Sequence, residues 1–235
     1  MTTRFSNIHL FCCLRYDLRL LLHCTLHLIA GIIKNGTVFG STLQELKTRD
    51  GLDIPLFVSK CIQSIETDEL LKTEGIYRKS GSAAQIQAIR IKVDEGNLRI
   101  FENQNIHVLT GALKLFFREL KEPLIISEIV EKLFEATKLK QKYTQMKAIL
   151  NTLPQTNKAT LSYLMKHLYE VTKFCNENKM EYSNIAIVFG PTLMWRNTDD
   201  RMSLFLVYLE QQKTIIKEIL LGYDEIFPLL LYDDI

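Results

Sequence analysis

Proline and glycine are scarce in this chain. Its 235 residues carry five prolines and ten glycines, and long stretches pass without either. A many-turned β-sandwich needs both at its turns, so the composition points to helices. Cysteine is equally uninformative as a scaffold. Cys12, Cys13, Cys24, Cys61 and Cys175 make an odd set with no Cys-x-x-Cys pair, so neither a disulfide framework nor a zinc site is suggested. Reduced thiols in a cytoplasmic protein are the expectation. His23, Cys24 and His27 lie close in sequence, but no fourth ligand accompanies them, and no metal is expected. Charge of one sign is also missing. The 29 Lys and Arg nearly balance 27 Asp and Glu, leaving a net charge of +2, without the basic face or tail of a dedicated nucleic-acid binder. No GxxxxGK[ST] run occurs, so the chain is not expected to hold a nucleotide through a P-loop. No Ser-His-Asp set and no carboxylate pair can be defended. His167 reads as a surface or satisfied histidine with no acid matched to it.

What is present is a core. Hydrophobic residues make up 47% of the chain, enough for one large domain. Residues 1–37 differ in texture from 38–235 and are read as an apolar amino-terminal extension of unknown role. Its uncharged run from Leu20 to Ile33 falls short of the about 20 residues a bilayer span needs. A late start and no small-residue cleavage site make it a poor signal peptide. Helical packing onto the main domain, peripheral membrane contact through residues 18–33, and a misread gene boundary all stay open. The carboxyl terminus, with Asp233 and Asp234, is expected to fray.

The main domain opens with VFGSTLQELKTRDGLDIP, read as a loop, a short helical turn and a second loop. Pro55 then starts a helix whose apolar face is Leu56, Phe57, Cys61, Ile62 and Ile65. The stretch GIYRKSG, residues 75–81, brackets Tyr77-Arg78-Lys79 with glycines. Ser82 and Gln85 after it form a capping-box pattern, and Ile86, Ile89 and Val93 recur at helical spacing up to Gly96. Arg78 therefore sits on a loop anchored at a helix start, with Ile76 and Tyr77 as its apolar anchors. Such a loop is an ordinary turn, an anion-binding loop, or one that lends its arginine to another protein. A guanidinium suits developing phosphoryl charge.

In HVLTGALKLFFRELKEPL, residues 107–124, a 100° step puts Leu109, Leu113, Phe116, Phe117 and Leu120 on one face. Lys114 and Arg118 share the flank at i, i+4, with Lys121 close by and Pro123 ending the helix. In NKMEYSNIAIVFGPTLMW, residues 178–195, the apolar run Ile185–Phe189 stops at Gly190 and Pro191. Helix and strand both fit so short a run. Ser183 or Asn184 would cap a helix there, and Trp195 reads as packing. Between these stretches, Leu161, Leu164, Met165, Leu168, Val171 and Cys175 trace another helix face.

Together, in that order and spacing, GIYRKSG, HVLTGALKLFFRELKEPL and NKMEYSNIAIVFGPTLMW resemble the RhoGAP family over about residues 38–227. The wording is closest to the chimaerins and to the subgroup carrying SH3, WW and PH domains. The resemblance implies an all-α, RhoGAP-type domain. It implies a GTPase-activating protein that accelerates GTP hydrolysis by Rho-family small GTPases, with Rac- or Cdc42-like partners favoured, in cytoplasmic signal transduction. Arg78 would be the arginine finger, supplied in trans. Lys114 and Arg118 would support the loop and the GTPase contact, and Asn184 would belong to the same surface. No cofactor of its own is implied, because GTP and Mg²⁺ come with the partner, and a monomer is expected. Lys79 and Lys121 depart from the family wording and would add positive charge beside the docking face, tuning affinity or GTPase choice rather than abolishing activity. The other reading is a non-catalytic GTPase-binding module of the same fold.

Overall fold

A capping box starts the first helix. In the computed structural model, which describes residues 36–196 and 202–228, the Thr42 hydroxyl accepts from the Glu45 amide at 3.1 Å and the Glu45 carboxylate accepts from the Thr42 amide at 2.8 Å. Two amides that helix geometry leaves unpaired are satisfied by this exchange. The helix, α1, runs Leu43–Asp50 and ends on Gly51 at φ 72°, so the expected turn is a full short helix. Pro55 then precedes α2, Leu56–Ile65, as the spacing predicts; Phe57, Val58, Cys61, Ile62 and Ile65 are buried. Helix α3 is the single turn Asp68–Leu71, capped by Thr67.

Helix α4, Ala83–Asp94, buries Ile89 and Val93. Ser82 stands at its N-cap, yet its side chain makes no capping hydrogen bond, so the capping box with Gln85 does not form. Residues 82–85 are all exposed, and solvent can satisfy those amides instead. A 3₁₀ turn, Leu98–Phe101, leads to α5, Ile106–Glu119, which buries the Leu109, Leu113, Phe116 and Phe117 stripe. Helices α6 (Ser127–Thr137), α7 (Lys142–Leu150) and α8 (Gln155–Lys173) follow. On α8 the face from Leu161 to Val171 is buried as expected, whereas Cys175 opens the separate turn α9, Cys175–Asn178.

Helix α10, Tyr182–Leu193, settles the helix-or-strand question and corrects its end point. It passes through Gly190 and Pro191. Pro191 lies in the last turn, where it cannot donate to the Ile187 carbonyl, and the helix ends two residues later. Gly190 lets α11, Met202–Leu221, approach: a Cβ there would stand 3.1 Å from Gln212. Neither Ser183 nor Asn184 caps α10, because the N-cap is Glu181. The short α12, Tyr223–Ile226, closes the described chain.

No strand occurs among the described residues; the fold is all-α. Phe39, Phe57 and Phe116 form a cluster with centroids 5.0–5.7 Å apart, Phe39 edge-on to both others, each ring contributing about 1.5–3 kcal/mol by burial. Asp94 fastens the chain start to this cluster, its carboxylate accepting from the Val38 and Phe39 amides at 2.7 and 3.1 Å. Among the described residues no helix is long and apolar enough to cross a membrane. The readings on residues 1–35, including His23, Cys24 and His27 and the membrane contact through 18–33, lie outside the described residues. So does the fraying of Asp233 and Asp234.

Candidate functional site

The loop between α3 and α4 is built from its root outward. Gly75 adopts φ 72°, its amide donates to the Asn178 carbonyl at 2.7 Å, and its own carbonyl accepts from the Arg78 and Lys79 amides at 2.9 and 2.8 Å. A tight turn results, one that L-residues at position 75 would strain. At the other end, a Cβ on Gly81 would stand 2.5 Å from the His107 carbonyl oxygen. Only glycine lets the loop lie that close to the start of α5.

Between the glycines, Ile76 and Tyr77 are fully buried, as the sequence suggests. Tyr77 also takes a left-handed backbone, φ 68°, which costs a non-glycine residue about 1–2 kcal/mol. Three contacts offset that cost. The Lys114 ammonium donates to the Tyr77 carbonyl at 2.5 Å. The Tyr77 hydroxyl lies 2.5 Å from Nε2 of His167, and the Tyr77 ring packs edge-on against Phe189 with centroids 5.0 Å apart. The next three residues, Arg78, Lys79 and Ser80, are exposed. Lys79 pairs with Glu74 at 3.2 Å. The Arg78 guanidinium makes no hydrogen bond or ion pair among the described residues. A buried, over-determined root thus carries an unengaged arginine.

Lys114 is half-buried on α5, and its pKa falls to about 8, first through burial and then through the charge of Arg118. His107 is held below the ordinary histidine value by burial and then by Lys79 and Lys114. The loop base is therefore a positive region in partly desolvated surroundings. Arg118 is exposed at its side and reaches α10, Nε donating to the Thr192 hydroxyl at 3.3 Å, while that hydroxyl donates to the Val188 carbonyl at 2.8 Å. Asn184, at the other end of α10, donates to the Lys179 carbonyl at 2.9 Å. Arg78, Lys79, Lys114, Arg118 and Asn184 are thus tied to one structural unit: the loop, α5, and the α9–α10 connection.

Lys121 stands apart from it. Helix α5 ends at Glu119, so a helical flank does not extend to Lys121. Its amide donates to the Ser41 carbonyl at 3.2 Å, and its ammonium pairs with Glu45 on α1 at 2.6 Å. His167 is not a surface residue and does have an acid: it is fully buried, with Nδ1 2.9 Å from the Glu66 carboxylate. Sequence reasoning also passed over Asn178 and the role of Thr192. Each has one partner far along the chain, Leu71 for Asn178 and Arg118 for Thr192, and no local spacing marks them. Trp195 packs as expected, its indole donating to the Phe117 carbonyl at 3.0 Å.

The described residues thus form an all-helical domain that carries an exposed arginine on a loop with a buried root. The chain belongs to the RhoGAP domain family, which matches residues 55–198. It is 38% identical over 204 residues to mouse Rho GTPase-activating protein 15, and 39% identical over 178 residues to the Caenorhabditis elegans WW domain-containing protein tag-325. Those matches cover 84% and 74% of this chain but 41% and 21% of the relatives, so the chain spans less than half of either. The crystal structure of human Rho GTPase activating protein 15 superposes with a TM-score of 0.76 at 35% identity, covering 86% of this chain and 96% of that one. The BH domain from GRAF, the GTPase regulator associated with focal adhesion kinase, gives 0.65 at 26% identity, covering 74% and 93%.

Proposed function

We propose that this domain accelerates GTP hydrolysis by a Rho-family small GTPase, Rac- or Cdc42-like, by inserting Arg78 as an arginine finger in trans. The observation that supports this reading is the unengaged, exposed guanidinium on a loop whose root is buried and held from several sides. The partner brings the nucleotide and its Mg²⁺. Arg78 would meet charge developing between the β- and γ-phosphates, where a planar guanidinium suits phosphate oxygens better than an ammonium does. Lys114 braces the finger from behind through the Tyr77 carbonyl. Arg118 and Asn184 border it, Lys79 adds positive charge, and Lys121, matched by Glu45, contributes less. The Rac/Cdc42 preference rests on the TGALK…FFREL and FGPTLM wording. The domain would act as a cytoplasmic monomer.

Single-turnover GTP hydrolysis by purified Rac-, Cdc42- and Rho-type GTPases tests this. Strong stimulation of the first two supports the reading. Saturable binding with no stimulation of any of them would make the domain a capture module and overturn it.

The brace should also show in the pH profile. As pH rises through about 8, Lys114 loses its proton and the charge-assisted bond to Tyr77 weakens. Stimulated hydrolysis, relative to the GTPase alone, should fall across that range. Lys114→Met should give a lower rate with no such limb; a limb that survives in the mutant belongs to another group. Stability should move the opposite way. Between about pH 8 and the ordinary lysine value of 10.5, the unfolded chain binds the Lys114 proton more readily than the folded one. This residue's contribution to stability therefore rises with pH across that window.

A further inference from the structure

The established features of the loop explain why Arg78 is exposed, but not why a tyrosine should hold a left-handed backbone immediately before it. Tyr77 is fully buried, and its hydroxyl does not end in apolar packing. It meets Nε2 of His167 at 2.5 Å, and Nδ1 of His167 meets the Glu66 carboxylate at 2.9 Å. His167 is fully enclosed, whereas the Glu66 side chain is 35% exposed. A line of polar contacts thus runs from the surface at the end of α2, through α8, to the residue that precedes Arg78. With the phenol donating to Nε2, the Nδ1–H of His167 donates to the Glu66 carboxylate, so both ring nitrogens have a partner. Burial holds the Tyr77 phenol well above its ordinary pKa, so it remains a donor.

We infer that Glu66, His167 and Tyr77 form a positioning relay that fixes the backbone before Arg78, acting through the Tyr77 side chain where Lys114 acts through its carbonyl. Tyr77 is gripped twice, by its carbonyl from α5 and by its hydroxyl from α8. Rotation out of the left-handed conformation would break both grips together. Buried polar networks of this kind cost free energy when half satisfied, and a left-handed non-glycine residue persists only where its surroundings over-determine it. The relay does not touch the partner or its nucleotide. Its effect is on the fraction of encounters in which the guanidinium is correctly aimed, and a misplacement of about 1 Å can cost a hundredfold in rate.

This inference rests on Arg78 being the finger, and the test separates the two. Tyr77→Phe, His167→Leu and Glu66→Ala are measured beside Arg78→Ala in single-turnover hydrolysis at saturating and sub-saturating domain, with thermal unfolding recorded in parallel. Tyr77→Phe should lower the saturating rate by roughly tenfold while the half-saturating concentration stays within about twofold. His167→Leu should cost less in the Tyr77→Phe background than alone, since both break the same line. Glu66→Ala cuts the line at its partly exposed end and keeps the test valid if a core variant fails to fold. Unchanged saturating rates in Tyr77→Phe and Glu66→Ala, or strictly additive losses, would overturn the relay while leaving an Arg78-dependent activity in place. Stimulation that survives Arg78→Ala would overturn the finger reading itself, and the relay with it.

Discussion

Arg78→Ala should lower GTPase stimulation by on the order of 10³ to 10⁵, or about 4 to 7 kcal/mol of transition-state stabilisation, while the domain folds and binds nearly as before. The folded state gives the reason for that split. The Arg78 side chain is exposed and unengaged among the described residues, so its loss leaves no buried group unpaired and no cavity. Surface changes of this kind usually alter stability by less than about 0.5 kcal/mol. Docking should persist through the positions tied to α5 and α10. The rate should not, because a finger acts where charge develops and hardly at all in the ground state. Arg78→Lys should recover little, since an ammonium is a point charge without the planar fork. Affinity measured by titration of GTP-loaded partner provides the comparison. If affinity falls in step with rate, Arg78 is a docking residue, and the division between finger and platform is wrong.

The loop and its helix were legible because they are written in local chemistry. Glycines at 75 and 81 mark tight backbone geometry, and the structure uses the first for a left-handed turn and the second for a close approach to α5. The apolar stripe of α5 follows from its period. What was not legible depended on partners distant in sequence. Thr42/Glu45 and Ser82/Gln85 show the same capping-box pattern, yet only the first forms. Glu45 is also held by Lys121, which follows the end of α5, whereas the first turn of α4 lies in solvent. The end of α10 was misplaced because Gly190 and Pro191 read as stops, although the glycine is there to admit α11. His167 and Glu66 stand 101 residues apart, and nothing local joins them.

Asn178 carries the largest expected effect on stability, and no feature of the stretch Asn176-Glu177-Asn178-Lys179 sets it apart from its neighbours. It is fully buried. Its amide donates to the Leu71 and Val171 carbonyls, both at 2.8 Å, and its side-chain oxygen accepts from the Met180 amide at 2.7 Å. One side chain thus ties the end of α3, the end of α8 and the start of the α9–α10 connection. Its backbone carbonyl meanwhile holds the Gly75 amide at 2.7 Å, the root of the Arg78 loop. Asn178→Ala would leave the Leu71 carbonyl and the Met180 amide unpaired, and the Val171 carbonyl with only the Phe174 amide at 3.3 Å. At about 1–3 kcal/mol for each group left without a partner, with some relaxation, the loss should reach about 3 to 5 kcal/mol, a large share of the about 5–15 kcal/mol that holds a domain together. Asn178→Asp should be no milder, because a buried carboxylate would face two carbonyl oxygens that need donors. Asn176→Ala, at an exposed position nearby, should change stability by less than about 0.5 kcal/mol. Denaturant unfolding of the three variants decides the matter, and hydrogen exchange at the Gly75 amide locates the effect. In a folded Asn178→Ala protein that amide should exchange faster, and stimulation should weaken as the loop loses its root. A loss no larger than that of Asn176→Ala would mean that water or backbone rearrangement replaces the side chain, and that the loop is held from the α5 and α8 sides alone.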